Sequence, residues 1–305
     1  MVLDDCHHEL VSFFYSNLYY KMLDMKTILI PTDFSPNANK ALDFAIEIAS
    51  ISRASIMLIY VNDLLDTPFR DKTALEIKHG LPADEAAETE LQQMCSNIRN
   101  TMHLDVNYQM YGGTVTGSIL EAVADSGAGL VVMGTLGNTG FKEKLVGSIT
   151  ASIISKSPVP VMAVPILSEW TVPKNIMMAV NHFDERPSSI DIVFKMAKYF
   201  NSKVTVAVFT DQDTADAADY LENTRGVISY GQELESMYKD VNVESIRLFG
   251  HKFQESIDEY IEAGHVDMLV MFTHKRNFIE SVFNKSISSK MSYHTNIPLL
   301  TIPVA

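Results

Sequence analysis

The feature that most constrains this fold is that the chain repeats itself. Ile28-Leu-Ile-Pro-Thr-Asp-Phe-Ser35 lines up with Ile176-Met-Met-Ala-Val-Asn-His-Phe183, and a helical pattern follows each, at 38–51 and 188–200. Two β-rich runs come next, Ile56–Val61 and Val204–Phe209. Gly112 stands six residues before Ser118, and Gly250 six before Ser256. Leu130–Met133 matches Met268–Met271, and Pro160-Val-Met-Ala-Val-Pro165 matches Pro298-Leu-Leu-Thr-Ile-Pro303. From Gly112 onward the two copies stay 138 positions apart without a gap. Chance does not hold a fixed offset across a turn, a helix and two strands, so two tandem copies of one architecture are expected.

A length of 305 residues suits two domains of ordinary size. The units are expected at 25–167 and 173–305, with 168–172 as the join, which carries the single Trp of the chain. So short a join favours units packed on each other. Within each unit, short Val/Ile/Leu runs alternate with helical patterns. This reads as an α/β fold with a parallel sheet buried on both faces. In unit one, strands are predicted at 27–31, 55–61, 104–110, 129–133 and 160–164, and helices at 36–52, 84–102, 116–126 and 147–156. Ala41, Phe44, Ala45 and Ile48 fall on one helical face and are assigned to the core. Residues 1–24 precede the first strand and are expected to lie outside the fold as an extension. Their aromatic stretch 11–23 is too short to span a bilayer and lacks the flanking charges of a signal peptide.

A net charge of -14 argues against nucleic acid as a partner, because phosphate backbones need a basic face. It leaves a nucleotide open, provided the local donors are backbone amides. Two cysteines, Cys6 and Cys95, make no disulfide framework, so a reducing cytoplasm is the expected location, with no membrane association. Cys6-His7-His8 has no matching ligand group at metal-site spacing, and no metal site is assigned.

One segment carries chemistry. Behind the apolar run Leu130–Met133 comes Gly134-Thr-Leu-Gly137, then Gly147-Ser148 opening a helical pattern. Glycines let backbone amides approach an anion, and a helix start adds unpaired N–H donors and a positive dipole end. Ser148 can cap that helix or donate to a phosphate oxygen. The spacing G-x2-G-x9-G-[S/T] resembles the ATP-binding signature of the universal stress protein family.

The resemblance implies two Rossmann-like, adenine nucleotide hydrolase-like units. Each would be a five-stranded parallel sheet with helices on both faces, and the two would pack as a pseudo-dimer through Val161–Val164 and Leu299–Ile302. It implies ATP, with Mg2+, as ligand. Pro31, Thr32, Asp33 and Val61 would border adenine and ribose, and Met133 would close the strand beside them. Gly134, Gly137, Gly147, Ser148, Ile149 and Thr150 would contact phosphates. Asp33 could instead cap the helix that begins near Pro36, and Val61 could be plain core. Lys142 and Lys144 either neutralise phosphate charge or sit in a solvated loop, and segment 62–83 is either a lid or a variable surface loop.

Carried through the offset, Gly134 becomes Phe272, Gly137 becomes Lys275 and Gly147 becomes Lys285; of the motif Ser148 alone survives, as Ser286, and in the alignment of the first strands Asp33 becomes Asn181. Of the 14 glycines, ten lie in unit one. Side chains at 272 and 275 are expected to stand where phosphate must approach, which gives one nucleotide per chain, in unit one. No GxxxxGK[ST] occurs and no general base has a defined partner, so a regulatory stress-response role is expected. A slow ATP-hydrolysing enzyme and a scaffold without nucleotide are the alternatives. Protein partners are unidentified, and further homo-oligomers would form through the sheet edges.

Overall fold

A computed structural model describes residues 25–62, 78–135, 147–180, 187–213, 215, 217–274 and 297–304. Unit one contains β1 (Thr27–Pro31), α1 (Pro36–Ser52), β2 (Ser55–Asn62), α2 (Ala83–Met102), β3 (Val106–Gly112), α3 (Val115–Ser126), β4 (Leu130–Gly134), α4 (Ser148–Lys156) and β5 (Val161–Val164). Unit two contains β6 (Asn175–Val180), α5 (Pro187–Phe200), β7 (Lys203–Asp211), α6 (Ala217–Met237), β8 (Val243–Gly250), α7 (Phe253–Glu262), β9 (Met268–His274) and β10 (Leu299–Val304). The strands form one ten-stranded sheet in the order β3-β2-β1-β4-β5-β10-β9-β6-β7-β8. Every neighbouring pair is parallel except β5 and β10, which meet antiparallel with Leu299 opposite Ala163, Leu300 opposite Met162 and Thr301 opposite Val161. The fold is therefore two five-stranded parallel sheets joined edge to edge within one chain.

Strand composition explains this layering. Ile28, Leu29 and Ile30 are all fully buried, because helices cover both faces of the sheet. Burial of each such side chain contributes roughly 1.5–3 kcal/mol. Ile28 and Ile30 face the layer of α1 and α2, and Leu29 faces the layer of α3 and α4. The first layer is one continuous core through both units, in which Met162 and Val164 of β5 pack with Leu300 and Ile302 of β10. On the opposite face the described residues form a unit-one part and a separate unit-two part. Between those parts lies buried Thr301, whose hydroxyl donates to Val161 O at 3.1 Å.

Helix ends follow local chemistry. Ser35 caps α1 by accepting from Ala38 N at 3.2 Å, and Pro36 occupies the first turn, where its missing N–H costs nothing. Arg53 ends α1 in the left-handed region (φ 59°), and Asn201 has the same conformation (φ 53°) just after α5, so the repeat extends to backbone geometry. β3 begins two residues later than the sequence predicts. His103 ends α2 in a left-handed turn, which occupies 103–105, and the Arg99 guanidinium donates to Val106 O where the strand opens. Cys95 is buried on α2 within the core. Among the described residues no helix is long and apolar enough to cross a membrane.

The join is pinned at both ends. Ser168 N donates to Pro165 O at 3.0 Å, and Pro173 O accepts from the Ser202 hydroxyl at 2.6 Å. Asp267 accepts from Lys174 N and Asn175 N, both at 2.8 Å, where β6 begins. Between these anchors the Trp170 ring lies edge-on against Phe44 of α1 (5.1 Å between centroids) and Phe200 of α5 (5.9 Å).

The outer layers of the two units differ in chemistry. Leu120 of α3 packs against the apolar layer of unit one, and the offset of 138 puts Asp258 of α7 in its place. Burial, with a smaller push from Glu262, raises the Asp258 carboxyl to about 6, and its Oδ1 is buried with no partner among the described residues. A folded pKa above the ordinary value means that folding takes up a proton. The stabilisation is complete below about pH 4 and is lost as pH rises through about 6. Asp258→Asn should raise the urea midpoint at neutral pH, and the difference from the parent should close as the solution is acidified toward pH 4.

Candidate functional site

β1 and β4 are sheet neighbours, but the chain leaves β1 on the other side to form β2. At such a reversal the two connections diverge and leave a crevice beyond the carboxyl ends of the strands. Its first wall is the turn after Pro31. Thr32, buried, donates its N–H to Ile59 O at 2.8 Å. Phe34 follows in the left-handed region at φ 59°, a conformation that costs a non-glycine residue roughly 1–2 kcal/mol. Three contacts hold it there: Phe34 N donates to Thr32 Oγ1 (3.0 Å), Ser35 N donates to Asp33 Oδ1 (3.0 Å), and the Phe34 ring stacks on Tyr60 (5.3 Å, 29°). This turn delivers Ser35 to the head of α1. Ser35 and not Asp33 is thus the helix cap, and Asp33 stays exposed on the rim, its carboxylate shaping the turn.

The second wall is the end of β4. Met133 is buried with the α3–α4 layer, so it offers the crevice its backbone. Gly134 has a packing reason to be glycine, because an added Cβ would lie 2.8 Å from Asn37 O and 3.0 Å from Asn37 C, at the start of α1. Its carbonyl accepts from the Thr150 hydroxyl at 2.9 Å, and Gly147 N donates to Thr135 O at 2.5 Å. Thr135 N in turn donates to Val164 O at 3.1 Å. The end of β4 is thereby tied to the start of α4 and to β5, with the head of α1 packed against it at Asn37.

The third wall is the head of α4. Gly147 holds the cap position, so Ser148 is the first helical residue and does not cap. Among the described residues no side chain caps this helix, and its first turn presents amides outward beside the exposed Ser148 hydroxyl. Ile149 is 39% exposed at the same rim. Thr150, expected among the phosphate contacts, is buried, and its hydroxyl donates to Gly134 O. Val61, at the end of β2, packs against the α3–α4 layer. Gly137, Lys142 and Lys144 lie outside the described residues, as do most of segment 62–83 and residues 1–24.

Unit two differs at the same level. Phe272, in the place of Gly134, is 2% exposed and packs within the core layer that contains α5. Its ring goes into the core and not over a phosphate position, which corrects the reason the sequence suggested for a lost cradle. In unit one the backbone of α1 approaches at this point. The strand register also refines the repeat. Val106 pairs with Ile56 and Val243 with Val204, so within β3 and β8 the copies are 137 positions apart, and 138 holds from α3 onward.

A model of the universal stress protein family matches residues 25–165 and again 173–303. The chain belongs to the universal stress protein family. Universal stress proteins MJ0577 and MJ0531 of Methanocaldococcus jannaschii are each 31% identical to it, over 153 and 149 residues. Each match covers 46% of this chain, and they cover 94% and 81% of those proteins, so one relative spans about one unit. Two solved structures cover both units. A universal stress protein from Archaeoglobus fulgidus aligns with a TM-score of 0.65 and 16% identity, over 92% of this chain and 97% of its own. A universal stress protein from Pseudomonas aeruginosa aligns at 0.60 and 11%, over 92% and 94%. At these identities the likeness concerns the fold, in which two family units share one architecture.

Sequence reasoning missed Phe34, Ser35, Tyr60 and Thr135. Ser35 was legible as a serine directly before a helix-opening proline. The conformation of Phe34 depends on Tyr60, a contact across strands that has no local signal. The described rim offers backbone amides and hydroxyls, a donor set suited to holding an anion. Gly134→Ala should push α1 off the sheet and destabilise the protein by about 1–3 kcal/mol, as overpacking does. Chemical denaturation measures this, and an unchanged midpoint would contradict the close approach of Asn37.

Proposed function

We propose that the chain is a nucleotide-dependent regulatory protein of the stress-response type, binding one ATP in the crevice of unit one, with Mg2+ accompanying the phosphates. The units are taken as 25–167 and 173–305, joined by 168–172. The observation that carries the reading is the head of α4. Its uncapped first turn, opened by Gly147 and Ser148, stands beside the end of β4 at the reversal in strand order. Helix starts of this kind hold phosphate through backbone amides, which suits a chain with a net charge of -14. Pro31, Thr32, Asp33 and Val61 would border the nucleoside, and Gly134, Gly137, Gly147, Ser148 and Ile149 would face the phosphates. Met133 and Thr150 would hold that frame.

Occupancy of unit one alone is supported by Lys275 and Lys285 standing where unit one has glycines. The described rim holds no paired acid and base aimed at a reacting atom, which favours binding over turnover. A cytoplasmic protein acting through protein partners fits this reading.

Ser148→Asp separates phosphate binding from folding. A carboxylate in the first turn of a helix is favourable by about 0.3–1 kcal/mol, so the variant should melt at or above the temperature of the parent. The same charge repels phosphate. Calorimetry with MgATP should give one site per chain for the parent and at least a tenfold loss for the variant. Absence of binding by the parent would overturn the nucleotide reading, and equal binding by both would remove the site from the head of α4.

A further inference from the structure

The single Trp of the chain lies in the join and touches a helix from each unit. Phe44 and Phe200, its two aromatic neighbours, are both 2% exposed. The Trp170 ring meets them at interplanar angles of 87° and 72°, the edge-on arrangement that aromatic quadrupoles favour. α1 and α5 also contact each other directly beside it. The backbone that carries Trp170 is held on either side, at Ser168 and at Pro173.

These contacts lie on the face where the core is continuous. On the other face the unit-one and unit-two cores are separate among the described residues, where the sheets meet through the three β5–β10 rungs. α1 is also the helix whose capped head, at Ser35 and Asn37, forms one wall of the crevice and closes on Gly134. A single helix thus connects the candidate site to the aromatic wedge.

We propose that Trp170, wedged between Phe44 and Phe200, locks the two units into one cooperative body, so that a ligand held by unit one also stabilises unit two. A ligand that binds only the native state stabilises whatever unfolds together with its site. If unit two cannot open independently, it shares that stabilisation although it has no site of its own. Unit two then reports the occupancy of unit one to any partner that reads its surface. The ligand-linked part rests on the proposed ATP site, and the cooperative part does not.

The test uses the full chain, scanned by calorimetry with and without MgATP, beside Trp170→Ala and Trp170→Phe. The parent should show one transition. The alanine variant should show two, and the phenylalanine variant, which keeps a ring in the wedge, should return toward one. With MgATP, hydrogen exchange should slow in α5 of the parent, at residues 187–200. In the alanine variant the slowing should be confined to unit one. Two transitions in the parent, or a single unshifted transition in Trp170→Ala, would overturn the cooperative lock. Binding of MgATP by the parent without slower exchange in α5 would overturn the transmission. If the parent binds no MgATP, the nucleotide-free scans decide the lock alone. If Trp170→Ala does not fold, Trp170→Phe and the exchange pattern of the parent decide it.

Discussion

The antiparallel pairing of β5 with β10 is the contact on which the rest of this architecture depends. A parallel five-stranded sheet with helices on both faces still has an open edge at its last strand, a row of unpaired amides and carbonyls. Here each last strand covers the other, and the duplication supplies both partners within one chain. Because the strands run in opposite directions across the seam, the two units are related as the halves of a two-fold pair. The apolar side chains of β5 and β10 then bring α1 and α5 against each other on one face.

That arrangement separates the roles of the two units. In unit one the head of α1 comes so close to the end of β4 that only glycine fits at 134. Beside this approach the bonds of Thr150 and Gly147 tie the end of β4 to α4, and Ser35 caps the head of α1. In unit two a phenylalanine occupies that strand end and fills core. Gly134 accordingly has a packing role as well as a place in the glycine pattern. Its loss in unit two is not by itself a measure of lost ligand binding.

The candidate site was legible in outline. Glycine and hydroxyl spacing marked Gly134, Gly147 and Ser148, and the alternation of apolar runs marked where the strands end. What each residue does there was less legible. Asp33 and Ser148 were both possible caps by residue type, but Ser35 and Gly147 hold the cap positions, and Thr150 is a tie within the fold. Residue preference says which side chains can accept or donate. The partner is fixed by backbone brought in from distant parts of the chain, as with the bond from Thr150 to Gly134 O across 16 residues.

The sequence by itself determined the duplication, the α/β alternation, the extent of nearly every helix and strand in unit one, and the pair of strands that could form the seam. These are properties of local periodicity and of self-comparison, and they need no knowledge of contacts. Only the tertiary structure decided that the α1–α5 face carries one continuous core through both units. It alone decided that Trp170 bridges two helices, and that Phe34 turns left-handed against Tyr60. Each of these is a long-range contact, in which the favourable energy comes from groups far apart in sequence that become neighbours once the sheet has formed.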